Sequence, residues 1–196
     1  MELMKSSIGA ILKNIDIAKD YLDEEVVNSF LDTIIDSNNV FLIGAGRSGL
    51  AAKAFAMRLM HLGISVYVVG ETISPAINKG DAIVAISGSG ETSSIISAVK
   101  IAKERGSKVL SLTSYGESTL GQLSDTYILV KGRPKEGDSD ESYIERQIHG
   151  NYKSLTPLGT LFELTSLIFL DGLISELMFR LGKTESDLKA RHTVLE

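Results

Sequence analysis

Cysteine and tryptophan are both absent from this sequence of 196 residues. Without cysteine there is no disulfide framework and no thiolate metal site, and the chain suits a reducing compartment, so the expected location is cytoplasmic. A clustered basic stripe is also missing. With a net charge of -5, the chain lacks the phosphate-neutralising surface on which nucleic-acid affinity normally depends. The opening residues alternate charged and apolar side chains and have no unbroken apolar core of the kind a signal peptide needs. The longest apolar stretch, Leu158 to Leu181, is interrupted by Glu163, Asp171 and Glu176, which reads as a buried helix and not a membrane span. The three histidines have no metal-ligand spacing and no acidic cluster beside them, so no catalytic metal is expected.

What is present is enough apolar residue, 43% of the chain, for one ordinary core. The periodicity changes along the sequence. Residues 3–22 and 24–37 carry helical spacing and form an N-terminal extension over about residues 1–37. Short β-rich runs follow at Asn39–Gly44, Ser65–Val69, Ala82–Ser87, Lys108–Thr113 and Thr126–Val130. Helical patterns lie between them at Arg47–Leu62, stopped by Gly63, and at Ser93–Arg105. Strands alternating with helices predict βαβ units: an α/β fold with a five-stranded parallel sheet flanked by helices on both faces. Residues 131–155 are polar and charged and predict a long loop. Thr156 with Pro157 predicts a helix start, and that helix with its tail occupies about residues 156–196. A short helix is expected at Glu185–Ala190.

Two glycine loops follow strands and open helices. Gly44-Ala45-Gly46-Arg47-Ser48-Gly49 has the spacing of a dinucleotide turn, and Glu71 follows the next strand where a ribose-binding acid could sit. The physical content of the motif is narrower: backbone N–H groups and a helix N-terminus brought close to an anion. The second loop, Ser87-Gly88-Ser89-Gly90-Glu91-Thr92, adds three hydroxyls, and Thr113 and Ser114 end a further strand. In an open parallel sheet these loops share the carboxyl edge. Hydroxyl-rich loops at several strand ends suit a small phosphorylated, polyhydroxylated ligand better than a dinucleotide, whose oxidoreductase chemistry is the rival reading.

The second loop, SGSGET, resembles the sugar-phosphate loop of sugar-isomerase (SIS) domains. Gly46 through Gly63, Val69-Gly70-Glu71-Thr72 and Thr156-Pro157-Leu158-Gly159-Thr160-Leu161-Phe162-Glu163 are together similar to the 6-phospho-3-hexuloisomerase family, as is the histidine-bearing tail from Arg191. The resemblance covers essentially the whole chain. It departs at the tail, which reads His-Thr-Val-Leu-Glu where the family has Ala-Asn after the histidine, and at the longer, more charged 131–155 loop. It implies an SIS-type open sandwich as a single domain over 1–196, and a homo-oligomer, with a tetramer favoured. It implies interconversion of 3-hexulose 6-phosphate and fructose 6-phosphate in the ribulose monophosphate route, without metal or cofactor, and functional coupling to a hexulose-phosphate synthase. The alternatives are another aldose–ketose phosphate isomerase, or a sugar-phosphate-binding module of the kind found in regulators.

Isomerisation through a cis-enediol needs one base and a donor for the enediolate oxygen. Glu163, alone among apolar residues early in the most apolar helix, is the candidate base; the bland alternative is a solvent-facing stripe. His61 and His192 are further catalytic candidates, His61 equally suiting a core or helix-end role. His192 is implicated by the resemblance, in its own or a neighbouring subunit. Arg47 suits either an oxyanion, bound bidentately, or an inter-subunit ion pair. Ser48, Ser87, Gly88, Ser89, Gly90, Glu91 and Thr92 are assigned to substrate binding, chiefly at the phosphate end.

Overall fold

The computed structural model describes residues 1–130 and 159–194. Five parallel strands form one sheet: β1 (Val40–Gly44), β2 (Val66–Val68), β3 (Ala82–Ile86), β4 (Lys108–Thr113) and β5 (Thr126–Leu129), in the order β2-β1-β3-β4-β5. Their inward residues alternate between two cores, as strand geometry requires. Leu42, Val84, Leu110, Leu112 and Ile128 face one side, and Phe41, Ile83, Ala85 and Val109 face the other. On the first side pack α2 (Glu24–Asp36), α3 (Arg47–Leu62), α6 (Thr160–Arg180) and α7 (Glu185–Ala190); on the second pack α4 (Ser93–Glu104) and α5 (Thr119–Leu123). The central strand β3 is buried along its whole length because both its faces are covered. The expected α/β sandwich is the observed one.

The strand order places the functional loops. From β1 the chain crosses to β2 on one side and then returns to β3 on the other, so β1 and β3 are neighbours with loops that part in opposite directions. Ligands bind at such a switch point in open α/β sheets. Gly44 at the end of β1 pairs with Ile86 at the end of β3, which sets both glycine loops side by side on the carboxyl edge.

Beyond shifts of a residue at element ends, the described elements differ from expectation at α1 and at α5. The first helix, α1 (Glu2–Lys19), stops short of Leu22 because Asp23 caps α2, its Oδ1 accepting N–H bonds from Glu25 at 2.9 Å and Val26 at 3.2 Å. The helix α5 was not expected at all. Its five residues span less than two turns and carry no readable period. The last long helix begins at Thr160, after Gly159. The expected start at Thr156 and Pro157 and the charged 131–155 stretch lie outside the described residues. Among the described residues no helix is long and apolar enough to cross a membrane.

Candidate active site

Three elements bring side chains to the carboxyl edge beside β1 and β3. The first is the β1–α3 turn. Arg47 opens α3 and is exposed, while Ser48 behind it is buried at 8% exposure. Glu71, the acid considered for a ribose, instead accepts a bond from Lys53 of α3 at 2.6 Å. Its carboxylate is committed to bracing the segment after β2.

The second is the 87–92 loop. Ser87 is buried; its Oγ accepts the Gly90 N–H at 3.2 Å and shares a hydrogen with Thr92 Oγ1 at 3.1 Å. Thr92 stands at the N-cap of α4 but makes no side-chain cap bond, so among the described residues no side chain caps this helix start, which suits an external acceptor. Ser89 is exposed and its Oγ accepts the Glu91 N–H at 3.2 Å. Gly90 has φ +65, and a Cβ there would lie 2.0 Å from Ser118 Oγ, so only glycine permits this turn. The loop therefore offers hydroxyls and oriented amides but, among its own residues, no cation. Glu91, assigned to substrate binding, also contacts a neighbouring helix. Its carboxylate is turned to α5, accepting both the N–H and the hydroxyl of Thr119 at 2.7 Å each.

The third is the start of α6. Phe162 is buried, and its ring lies 3.0 Å from where a Cβ on Gly88 would stand. That contact lays the first turn of α6 against the 87–92 loop and brings in the next residue, Glu163, whose side chain is 16% exposed. Arg47 Nε donates to Glu163 Oε2. The ion pair joins the helix that follows β1 to the helix that covers the loop after β3. Arg47 thus pairs with the candidate base within one chain. One turn further on, Ser166 is fully buried and its hydroxyl has no partner among the described residues; nothing in the sequence marks it out.

The two histidines meet each other and not Glu163. The His61 and His192 rings stack with centroids 5.4 Å apart at 27°. His61 is buried while His192 is exposed. Next to them, the Arg191 guanidinium lies against Gly63, 3.1 Å from the position of a Cβ there. Burial, followed by the nearby His192 and Arg58, lowers the pKa of His61 below its ordinary value. His61 sits nearly four turns along α3 from Arg47, about 20 Å by helical rise. Within one chain, therefore, neither histidine joins the acid and arginine. The sequence alone could not separate the two ends of one helix from the two sides of one site.

A switch point edged by glycine- and serine-rich turns, with the Glu163 carboxylate brought beside them from a separate helix, is the carboxyl-edge arrangement at which open α/β sandwiches bind ligands. Residues 33–164 match the SIS domain family, and the chain belongs to that family. It is 38% identical over 189 residues to a 3-hexulose-6-phosphate isomerase of Bacillus subtilis, covering 96% of this chain and 98% of that one. An uncharacterised protein of Archaeoglobus fulgidus is 47% identical over 189 residues, with the same coverage of both chains. Among solved structures, a Methanococcus jannaschii protein, whose structure infers a molecular function of 3-hexulose-6-phosphate isomerase, superposes with a TM-score of 0.81 at 34% identity. The match covers 97% of this chain and 99% of that one.

Proposed function

We propose that this chain is a sugar-phosphate isomerase that interconverts 3-hexulose 6-phosphate and fructose 6-phosphate, serving the ribulose monophosphate route. The phosphate sits on the 87–92 loop, held by Ser87, Ser89 and Thr92 and by the first-turn amides of α4, with Ser48 at the adjoining turn. A dianion there faces the positive ends of α3 and α4. The sugar then extends toward α6. Glu163 takes the proton from the hydroxyl-bearing carbon next to the carbonyl and returns it to the former carbonyl carbon, while the hydroxyl proton passes to the former carbonyl oxygen through the cis-enediol between them. Arg47 holds Glu163 through Nε and steadies the enediolate oxygen with its remaining donors. The observation that carries this reading is the Arg47–Glu163 pair standing beside the hydroxyl loop.

His192, and His61 beneath it, serve a neighbouring chain's site, since in their own chain they lie at the far end of α3. Two features support a homo-oligomer of this kind, a tetramer by resemblance. Leu3, Met4, Ile8 and Leu12 on α1 are exposed. Nearby, a groove of about 850 Å³ opens between α1, α2 and α6. Apolar surfaces of this extent usually mark subunit contacts.

The test is an isomerisation assay of the purified protein in the presence of a chelator, against a panel of hexulose and pentose phosphates. Conversion of 3-hexulose 6-phosphate to fructose 6-phosphate is expected. Turnover of an aldose phosphate instead would refute the substrate, and loss of activity on chelation, restored by a divalent ion, would refute the metal-free chemistry. Light scattering that returned a monomer mass at micromolar concentration would remove the shared site.

A further inference from the structure

We propose that Glu91 is a positioning residue: its carboxylate ties the 87–92 loop to the first turn of α5 and so holds the loop in its phosphate-binding shape. The inference rests on the sugar-phosphate reading of that loop. A carboxylate inside a phosphate-binding turn is at first sight a liability, because it repels the dianion. The geometry resolves this by turning the charge away. Oε1 accepts the Thr119 N–H at 2.7 Å and Oε2 accepts the Thr119 Oγ1–H at 2.7 Å. Both are charge-assisted bonds, about twice as strong as neutral ones.

These bonds belong to a larger seam. The Leu120 N–H donates to the Gly90 carbonyl at 3.0 Å. The Gly121 N–H donates to Ser118 Oγ at 3.3 Å. Three successive first-turn amides of α5, which a helix start leaves without intrahelical partners, are thereby satisfied, two of them by the phosphate loop. α5 is the fixed wall of this seam. Leu120 is fully buried in the core under α4, and Gly121 is buried beside it. On its inner side the loop is pinned by the Ser87 and Thr92 hydroxyls. Glu91 pins its outer side. Because the Glu91 N–H donates to Ser89 Oγ, fixing Glu91 also fixes the direction of the exposed hydroxyl next to it.

The acid–base pair sits on other elements, α3 and α6. Loss of the Glu91 tether is therefore felt in phosphate affinity and not in the proton transfer. Glutamine at this position keeps the tether: its amide oxygen accepts the Thr119 N–H and its amide N–H donates to Thr119 Oγ1. Alanine keeps neither bond.

The experiment compares the full-length wild type with Glu91→Ala and Glu91→Gln. Calorimetric affinity is read for inorganic phosphate and for fructose 6-phosphate, alongside KM and kcat. Glu91→Ala is expected to weaken both ligands and raise KM about tenfold, the size of one lost hydrogen bond to a charged group, with kcat within about twofold. Glu91→Gln is expected to recover most of the lost affinity. If Glu91→Ala binds phosphate like the wild type, or if a folded Glu91→Gln is as weak as Glu91→Ala, the positioning role is overturned; the second result would mean that the charge itself acts. If Glu91→Ala does not fold, Thr119→Val, which removes one of the two bonds, takes its place with an expected loss of about threefold; unchanged affinity there overturns the role. A wild type that binds inorganic phosphate but isomerises no hexulose phosphate refutes the substrate reading alone, and the phosphate affinities still decide the role of Glu91. A wild type that binds neither ligand removes both.

Discussion

Arg47 and Glu163 are 116 positions apart in the sequence and form an ion pair that joins α3 to α6 beside the hydroxyl loop. The arginine side chain is 55% exposed, whereas the carboxylate is 16% exposed. The pair thus has a shielded acceptor and an open donor, so a ligand oxygen can approach the guanidinium without first displacing the carboxylate.

Glu163→Gln retains side-chain size and most hydrogen bonding but cannot accept a proton at neutral pH. The fold and substrate affinity are expected to survive, while turnover falls roughly 10²–10⁴-fold, the usual contribution of a positioned general base. Solvent deuterium entry into the sugar falls with it. His192→Ala is expected to slow exchange less. A folded Glu163→Gln protein with near-normal turnover would send the search for the base to His61 or His192.

Replacing Arg47 tests the other half of the pair. Arg47→Met removes the donor to Glu163 and is expected to lower kcat/KM by about 10–100-fold, the worth of a hydrogen bond between charged groups. Arg47→Lys keeps the charge but not the fixed fork, and should fall between the two. Equal kcat/KM for the wild type and Arg47→Met would make the pair incidental to turnover.

Gly90→Ala is expected to damage the phosphate loop in two separable ways. At φ +65 a Cβ costs about 1–2 kcal/mol in backbone strain. It also meets Ser118 Oγ at 2.0 Å and Ser118 Cβ at 2.5 Å. Adding Ser118→Gly, compared with Ser118→Gly alone because that hydroxyl also caps α5, should remove the Ser118 clash and leave the strain. No difference between the single and double variants would show that Ser118 moves aside freely.

The His61–His192 stack predicts a pH dependence. The folded-state pKa of His61 is lowered, so between that value and the ordinary one near 6.5 the unfolded chain binds more protons than the native one. Stability therefore rises with pH through this window and is lost as the pH falls below about 6.5. Thermal unfolding followed from pH 7.5 down to 5 should show the loss, and His61→Phe should flatten it. The His192→Ala variant should reduce it in part, because one of the like charges is gone. A profile unchanged in His61→Phe would place the titration elsewhere.

Much of this architecture is legible in the sequence. The strands announced themselves by short β-rich runs, and the two glycine loops by their density of Gly and Ser after strands. Glu163 stood out as a lone acid among apolar residues. What escaped notice depends on contacts distant in sequence. The carboxylate of Glu91 looks like a ligand contact until Thr119, in a helix too short to carry a period, is seen beside it. His61 and His192 read as two members of one catalytic set, and only the length of α3 shows that they gather at the end opposite to Arg47. Ser166 carries no pattern of any kind.

The hydroxyl loop comes from β3 and α4, whereas the carboxylate comes from α6, a separate and later part of the chain. On the proposed reading, binding and chemistry are encoded largely in different segments, and each can drift under selection without the other. A descendant that exchanged Glu163 for a neutral residue would still hold its ligand, and one whose loop changed would still have an acid awaiting another substrate. On that reading, a change confined to α6 is enough to turn a catalyst on this scaffold into a protein that only binds.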